Sequence, residues 1–273
     1  MSPTFRFERR YAGPIRLVIL DWAGTVIDHG CLAPTEVFRA AFDGEGIDVT
    51  DDEVRGPMGM GKWEHIQTMT RMPSIAARWE DKFGHAPTDD DVDRMYQRFL
   101  PLQVERVREY TDLIPGTLDT IQSLRERGIA IGSSTGYPRE VMDALVPLAA
   151  KAGYAPDEII TASDVHEGRP APWAIYEIMR RTGVFPPEAV VKIDDSVSGI
   201  EAGLNAGAWT VGVAATGNLV GLSEDALREL PDEDRAARID VARATLARAG
   251  AHFVIDSVAQ LPRLLTRIED GMR

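Results

Sequence analysis

The chain has 273 residues, about twice the common size of one domain, and 44% of them are hydrophobic and 27% charged. These fractions are ordinary for a globular protein and exclude a disordered or fibrous chain. Asp and Glu outnumber Lys and Arg by 43 to 30, and the net charge of −13 disfavours nucleic acid as a partner. Apolar runs such as residues 17–20 are far shorter than the ~20 residues that span a membrane.

The cysteine content and the N-terminus indicate a cellular compartment. Cys31 is the single cysteine, which excludes an internal disulfide and fits a reducing environment. Arg9 and Arg10 are followed by no separate apolar region, so we expect no secretory signal. The sequence therefore predicts a cytoplasmic protein without a membrane partner.

Short apolar runs alternate with helical patterns over much of the chain. Strands are predicted at residues 15–20, 129–132, 159–161, 189–193, 208–213 and 252–255. Helices are predicted at residues 117–127, 139–151, 173–181 and 197–205. This alternation is typical of the α/β class, with a doubly wound, parallel sheet.

One region breaks the alternation. From about residue 34 to residue 110 there are helical signals and no strand, and Thr50 and Thr88 each begin a capping-box pattern. We expect an α/β core of residues 1–29 and 111–273, with residues 30–110 inserted as an all-helical cap over the carboxyl ends of the strands. Residues 28–33 and 110–115 are the expected hinges.

Three predicted strands end in polar residues. Asp21 follows the first, Ser133 to Gly136 follow the second, and Asp194 and Asp195 follow the fourth. Because ligands bind beyond the carboxyl ends of parallel strands, these residues should converge. A carboxylate can attack phosphorus, and a second can hold a divalent cation. Each residue alone is more often a turn or cap residue, but the set predicts phosphoryl transfer.

These residues resemble the four motifs of the haloacid dehalogenase superfamily. The matching segments are Asp21-Trp22-Ala23-Gly24-Thr25, Ser133-Ser134-Thr135-Gly136, Arg169 within Gly-Arg-Pro-Ala-Pro-Trp, and Asp194-Asp195. The cap segment 57–66 (PMGMGKWEHI) is similar to that of the phosphonoacetaldehyde hydrolases within this superfamily. The resemblance spans nearly the whole chain and implies a Rossmann-like core with a helical cap.

The resemblance assigns roles in the core. Asp21 would be the nucleophile that forms an aspartyl-phosphate, and Mg²⁺ would be held by Asp21, the backbone carbonyl of Ala23, and Asp195. Most phosphatases of the superfamily carry a second Asp at the position of Ala23, which protonates an alkoxide leaving group. The alanine here fits a leaving group that is carbon.

Cleavage of a P–C bond needs an acceptor for the electrons of the departing carbon. An imine between a lysine and the aldehyde of phosphonoacetaldehyde provides one, and acetaldehyde and phosphate would be the products. Lys62 begins a helical run after Gly59-Met60-Gly61, and a helix N-terminus disfavours a cation. Lowering its pKa from about 10.4 to about 7–8 takes roughly 3–4 kcal/mol, so burial or nearby Mg²⁺ must add to the helix dipole.

Other residues are assigned to the substrate. His65 is three residues after Lys62 on the same helix face, from which it could move a proton or orient the amine. The Arg169 guanidinium could bind a phosphonate with two hydrogen bonds. The hydroxyl and N–H groups of Thr135 and Gly136 would bind phosphoryl oxygens. The resemblance further implies that the pocket is lined by Cys31, Met58 and Tyr137.

The fourth motif departs from the family pattern, and two other functions stay open. The family carries Gly-Asp-Thr-Val-Ser-Asp, whereas this chain has Asp194 at the first position and Gly199 at the last. Asp194 could therefore supply the lost carboxylate. The alternatives are a Mg²⁺-dependent phosphatase or phosphomutase acting on a P–O ester, and a binding protein without activity. The resemblance also implies a homodimer that associates through the cap.

Overall fold

The structure is a computed structural model that describes residues 11–272; Arg9 and Arg10 lie outside the described residues. Six parallel strands form one sheet in the order β3-β2-β1-β4-β5-β6. They are β1 (Leu17–Leu20), β2 (Ala130–Ser134), β3 (Glu158–Ile160), β4 (Val190–Asp194), β5 (Trp209–Val213) and β6 (Phe253–Ile255). The order changes direction at β1, which places the ends of β1, β2 and β4 side by side.

The helices belong to two groups, those of the cap and those that cover the two faces of the sheet. The cap helices are α1 (Leu32–Asp43), α2 (Asp51–Arg55), α3 (Lys62–Thr70), α4 (Pro73–Phe83) and α5 (Asp89–Arg106). In the core they are α6 (Thr117–Glu126), α7 (Arg139–Lys151), α8 (Trp173–Thr182), α9 (Val197–Asn205), α10 (Glu224–Glu229), α11 (Asp232–Arg248) and α12 (Leu261–Met272). Within the described residues no helix has the length and apolar character that crossing a membrane requires.

The apolar run of β1 is explained by burial on both sides. Val18 and Leu20 pack with side chains of α6, α7 and α12, whereas Leu17 and Ile19 pack with side chains of α8 and α9. Because successive side chains of a strand point to opposite faces, a strand covered on both faces must be apolar throughout. Asp21 is the first residue after β1, so its position in the fold is set by a fully buried strand.

The cap has a hydrophobic cluster of its own. Side chains of α1 to α5 form it, among them Phe38, Ile66, Trp79 and Phe99. The capping box at Thr50 is present: its hydroxyl accepts from the N–H of Glu53, whose carboxylate accepts from the N–H of Thr50. The matching box at Thr88 is present as well. The helical insertion and the parallel sheet are therefore confirmed, while the domain limits at residues 29/30 and 110/111 stay a prediction.

Most elements were predicted from the sequence. Every predicted strand overlaps an observed one, with ends that agree within two residues, and the predicted helices 139–151 and 197–205 coincide with α7 and α9. The three helices that follow β5 along the chain, α10, α11 and α12, were not predicted.

Candidate active site

A small cavity of about 30 Å³ lies between the strand ends and the cap. Core and cap both contribute to its walls. The lining residues are Asp21, Ala23, Cys31, Pro34, Met58, Gly59, Lys62, Thr135, Gly136, Tyr137, Arg169, Asp195 and Ser196. The residues predicted to act in catalysis, substrate binding or metal binding are all in this set except His65; Asp194, suggested as a substitute carboxylate, is also outside it.

Asp21 is held by the guanidinium of Arg169. The Asp21 Oδ1 accepts from Arg169 Nη2 at 2.9 Å, and Oδ2 accepts from Nη1 at 3.2 Å. Nη2 also donates to the carbonyl O of Ser134 at 2.6 Å, and Nη1 lies 3.2 Å from Asp194 Oδ2. Arg169 was predicted to bind the phosphonate, but here its donors meet protein oxygens. The structure thus shows Arg169 orienting Asp21, and its contact with substrate stays a prediction.

Asp195 lies beside Asp21, and no Lys, Arg or His among residues 11–272 forms an ion pair with it. Its Oδ2 accepts from the backbone N–H of Asn218 at 2.6 Å and from the thiol of Cys31 at 3.2 Å. Gly24 approaches so closely that a Cβ there would lie 2.4 Å from this same oxygen, and its φ of +76° also requires glycine. Burial, together with the nearby Asp21 carboxylate, raises the pKa of Asp195.

Asp194 does not line the cavity and belongs to a buried network. Its Oδ2 lies 2.7 Å from the Nζ of Lys192, and its Oδ1 accepts from the hydroxyl of Ser196 at 2.6 Å. Burial opposes the charged form, but the Arg169 and Lys192 cations hold the pKa of Asp194 below its usual range. A Cβ at Gly199 would lie 2.0 to 2.2 Å from the Asp194 carboxyl atoms. The Asp194 carboxylate therefore fills the space that a side chain at position 199 would need.

The donor set fits a hard divalent cation. Asp21, Asp194 and Asp195 each offer an oxygen, and these oxygens lie within 4.8 Å of one another. Asp194 already contacts two cations, whereas no ion pair within 4.0 Å joins Asp195 to a described Lys, Arg or His. Carboxylate and carbonyl oxygens are the ligands that Mg²⁺ prefers. Asp21, Ala23 and Asp195 all line the cavity, and the two carboxylates with the backbone carbonyl of Ala23 would hold the ion.

The Lys62 amine is inside the cavity. It is 5% exposed, and its Nζ lies 4.9 Å from the ring centre of Tyr137 and 5.3 Å from that of Phe38. No carboxylate of the described residues forms an ion pair with it within 4.0 Å. Burial lowers the pKa of Lys62 from 10.5 to about 8, although Cys31 and Asp21 act in the opposite direction. This direction agrees with the expectation that burial adds to the helix dipole, and the combined effect stays a prediction.

His65 is buried next to Lys62 but does not line the cavity. Its Nε2 lies 2.8 Å from the carbonyl O of Val54, and its ring stacks on Phe38 with centres 3.7 Å apart. Burial, with a further contribution from Lys62, lowers the pKa of His65 well below its usual value and so disfavours the charged ring. It supports Phe38, one of the two rings beside the amine. A proton transfer by His65 stays a prediction.

The loop after β2 meets the cap across the cavity. The Thr135 hydroxyl accepts from the N–H of Tyr137 at 3.1 Å, while the N–H of Gly136 donates to no other described residue. A Cβ at Gly136 would lie 2.6 Å from the carbonyl O of Met60, so this close approach requires glycine. Met58 is also buried here, and its carbonyl accepts from Ser198 at 3.2 Å. The free N–H of Gly136 can therefore meet a phosphoryl oxygen.

Comparison with known proteins now bears on this arrangement. The family model of haloacid dehalogenase-like hydrolases matches residues 15–207. A phosphonoacetaldehyde hydrolase of Nitratidesulfovibrio vulgaris is 46% identical over 269 residues, which cover 98% of this chain and 96% of the relative. The chain belongs to the phosphonoacetaldehyde hydrolase family of haloacid dehalogenase-like hydrolases.

Two further relatives extend this comparison. A phosphonoacetaldehyde hydrolase-like protein of Oleispira antarctica has a solved structure with a TM-score of 0.95 at 38% identity, covering 99% of this chain and 98% of that one. In Clostridioides difficile, a bifunctional phosphonoacetaldehyde hydrolase/aminoethylphosphonate transaminase is 43% identical over 263 residues, which cover 96% of this chain and 41% of that protein.

Sequence reasoning missed several residues of this phosphonoacetaldehyde hydrolase family site. Asn218 follows β5, so the rule that polar residues after parallel strands converge could have found it. Lys192 is a charged residue within the apolar strand β4, which signals a buried ion pair. The sequence gives no indication that Phe38 belongs to the site, because an aromatic residue of an amphipathic helix is usually part of the hydrophobic core. Ser196 and Pro34 also line the cavity.

Proposed function

We propose that this protein hydrolyses the P–C bond of phosphonoacetaldehyde to acetaldehyde and phosphate, through an imine on Lys62 and an aspartyl-phosphate on Asp21. The observation that carries the proposal is the presence of both groups in one cavity, although they come from different parts of the fold. Because the Lys62 amine is buried and forms no ion pair with a carboxylate of residues 11–272, it can lose its proton near neutral pH, as an attack on an aldehyde requires.

The first step takes place on the cap. The neutral Lys62 amine attacks the aldehyde carbon, and loss of water from the adduct forms a protonated C=N bond. The Tyr137 and Phe38 rings flank the amine and exclude water around it. The iminium can then accept the two electrons of the P–C bond.

The second step takes place on the core. An oxygen of Asp21 bonds to phosphorus as the P–C bond breaks, and the electrons move into the C–N unit to form an enamine. The enamine takes up a proton, and water releases acetaldehyde and the Lys62 amine. A second water molecule hydrolyses the aspartyl-phosphate. Arg169 fixes both carboxylate oxygens of Asp21 and so sets the direction of attack.

Mg²⁺, when bound by Asp21, Asp195 and the carbonyl of Ala23, would offset the negative charge of the phosphoryl oxygens. This assignment is supported by the shortage of positive charge around Asp195. Ala23 also bears on the choice between P–C and P–O cleavage. It lines the cavity at the position where an ester-cleaving enzyme would need an acid, and alanine has no acid to offer, which favours a carbon leaving group.

The decisive experiment traps the imine. The protein is treated with borohydride in the presence and absence of phosphonoacetaldehyde, and the peptides are analysed by mass spectrometry. A reduced two-carbon adduct should map to Lys62 alone. Lys82 offers a matched control, because it is an exposed lysine of the same cap. We expect Lys62→Arg to abolish acetaldehyde formation and Lys82→Arg to leave it unchanged.

Full activity of Lys62→Arg would overturn the imine mechanism, because a guanidinium keeps the charge but cannot form the adduct. Phosphate release from a P–O ester, with no acetaldehyde from phosphonoacetaldehyde, would instead support the phosphatase alternative.

The remaining expectations concern the metabolic pathway, the oligomeric state and the cellular location of the enzyme. The bifunctional relative carries an aminoethylphosphonate transaminase as well, and this supports a place in 2-aminoethylphosphonate degradation. A homodimer through the cap and a cytoplasmic location stay predictions. Sedimentation of the full chain and of a variant with charged residues on the exposed cap side chains Phe83 and Leu102 would test the dimer.

A further inference from the structure

A second junction of cap and core lies beside the cavity, and no step above uses it. Arg55, the last residue of α2, places its guanidinium against the core loop that follows β5. Nη1 donates to the carbonyl O of Gly30 at 2.8 Å and to that of Asn218 at 3.1 Å, and Nη2 donates to that of Gly221 at 3.1 Å. In return, Asn218 Nδ2 donates to the carbonyl O of Arg55 at 3.1 Å.

The partners of this arginine are unusual for a half-buried cation. No carboxylate of the described residues lies within ion-pair distance of it, and its contacts are carbonyl groups and the Asn218 Oδ1 at 3.2 Å. Carbonyl groups at fixed positions need the planar, forked donors of arginine rather than a point charge. Gly30 belongs to the predicted hinge 28–33, so one side chain joins the cap, the hinge and the core loop.

The loop is shaped to receive this guanidinium. Gly221 has a φ of +67°, and a Cβ there would lie 2.6 to 2.9 Å from the guanidinium atoms of Arg55. Asn218 is only 2% exposed, and its backbone N–H is the one that donates to Asp195 Oδ2 at 2.6 Å. The residue held by the cap arginine is therefore the residue that orients the Asp195 carboxylate.

We propose that Arg55 is a positioning residue that couples cap closure to the Asp195 carboxylate through Asn218. Closure would then do two things at once: it delivers the Lys62 amine, and it fixes the carboxylate that the proposed Mg²⁺ site needs. The inference rests on the proposed function, because it assigns a purpose to Asp195 within that site.

The test compares two arginines that contact the same loop. Arg238 of α11 donates from Nε to the carbonyl O of Val220 at 2.7 Å, so it holds this loop from within the core. Mg²⁺ affinity is measured by calorimetric titration without substrate, and kcat and KM for phosphonoacetaldehyde are measured at saturating Mg²⁺. We expect Arg55→Met to weaken Mg²⁺ binding at least about tenfold and to raise KM. Arg238→Met should change both by less than about threefold.

Arg55→Lys separates charge from geometry, and its Mg²⁺ affinity should stay close to that of Arg55→Met, because an ammonium cannot form the fork. Wild-type Mg²⁺ affinity in Arg55→Met, or an equal loss in Arg238→Met, would overturn the proposal.

A second variant tests the same coupling if Arg55→Met fails to fold. Asn218→Ala removes the side-chain contacts with Arg55 but keeps the N–H that meets Asp195. The Mg²⁺ affinity of Asn218→Ala should fall, and an unchanged affinity would overturn the coupling. Failure of the proposed function would be seen separately, as a wild-type protein that makes no acetaldehyde.

Discussion

In the core, Asp21 and Asp194 share the guanidinium of Arg169, and Asp194 has a second cation in Lys192. In the cap, the Lys62 amine faces two aromatic rings and forms no ion pair with a described residue. Asp21, Asp194 and Lys62 are all almost fully buried, so exposure to solvent does not explain why their charges are treated differently. The Asp21 and Asp194 carboxylates are surrounded by donors, which stabilise their charged forms, whereas the Lys62 amine has no described carboxylate to stabilise its proton.

The largest expected effect separates the chemistry of the two regions. Asp21→Asn removes the proposed nucleophile, and we expect turnover of phosphonoacetaldehyde to fall at least about 10⁴-fold. The proposed imine forms on the cap lysine, so borohydride should still trap substrate on Lys62 in this variant. The control is Asp119→Asn, an exposed carboxylate of α6 that should be neutral for both readouts. Loss of trapping in Asp21→Asn would show that the two steps are not separable.

A smaller effect concerns the ion pair under the core site. Lys192→Met leaves a fully buried Asp194 with Arg169 as its remaining cation, and we expect the free energy of unfolding to fall by about 3–5 kcal/mol. The double variant Lys192→Met/Asp194→Asn should recover part of this loss. Chemical denaturation checks both, with Lys151→Met, an exposed lysine of α7, as control. A change of under about 1 kcal/mol in Lys192→Met would contradict the proposed importance of the pair.

Replacing the cap lysine, Lys62, should change the free energy of unfolding in the opposite direction. A pKa lowered from 10.5 to about 8 means that burial destabilises the charged amine by about 3 kcal/mol. Between about pH 8 and pH 10.5 the unfolded chain binds this proton and the folded one does not, so wild-type stability rises with pH there. Lys62→Met should therefore be inactive yet more stable at pH 7, by up to about 3 kcal/mol, and this gain should shrink above about pH 8. Urea unfolding at pH 7 and pH 9.5 measures it, and a less stable Lys62→Met at pH 7 would refute the argument.

The smallest effect concerns the contact between the two regions. A Cβ at Gly59, whose φ is +92°, would lie 2.2 Å from the hydroxyl O of Ser196. We expect Gly59→Ala to hinder closure and to lower kcat/KM by about 10- to 100-fold. Gly84 is a matched control, because it has a φ of +76° with nothing within 4 Å of a Cβ. Equal losses in Gly84→Ala would show that backbone strain, and not the cap contact, is responsible.

The parts of the molecule that could be predicted are those with local signals. Buried parallel strands read as apolar runs, and the polar residues that follow them converge, which located Asp21 and Asp195. Helix α11 gave no such signal, because among its side chains only Ala242 and Leu246 are buried. A helix that is polar around most of its circumference has no apolar period to detect.

The site shows the same limit at closer range. His65 is on the helix face predicted for it, but helical spacing does not say that its ring stacks on Phe38 and meets the carbonyl of Val54. Arg169 was correctly placed in the cavity, while its two carboxylate partners come from separate strands that only the folded sheet brings together. Which buried charges pair with one another depends on distances in the folded structure, and the spacing of residues in a motif does not determine those distances.

The Asp194 carboxyl group occupies the space above Gly199, and this limits how the two positions can change during evolution. An acidic side chain at position 199 would have to displace the Asp194 carboxyl group, so a change from one arrangement to the other by single substitutions passes through a collision or through the loss of both acids. Each arrangement should therefore resist single substitutions toward the other.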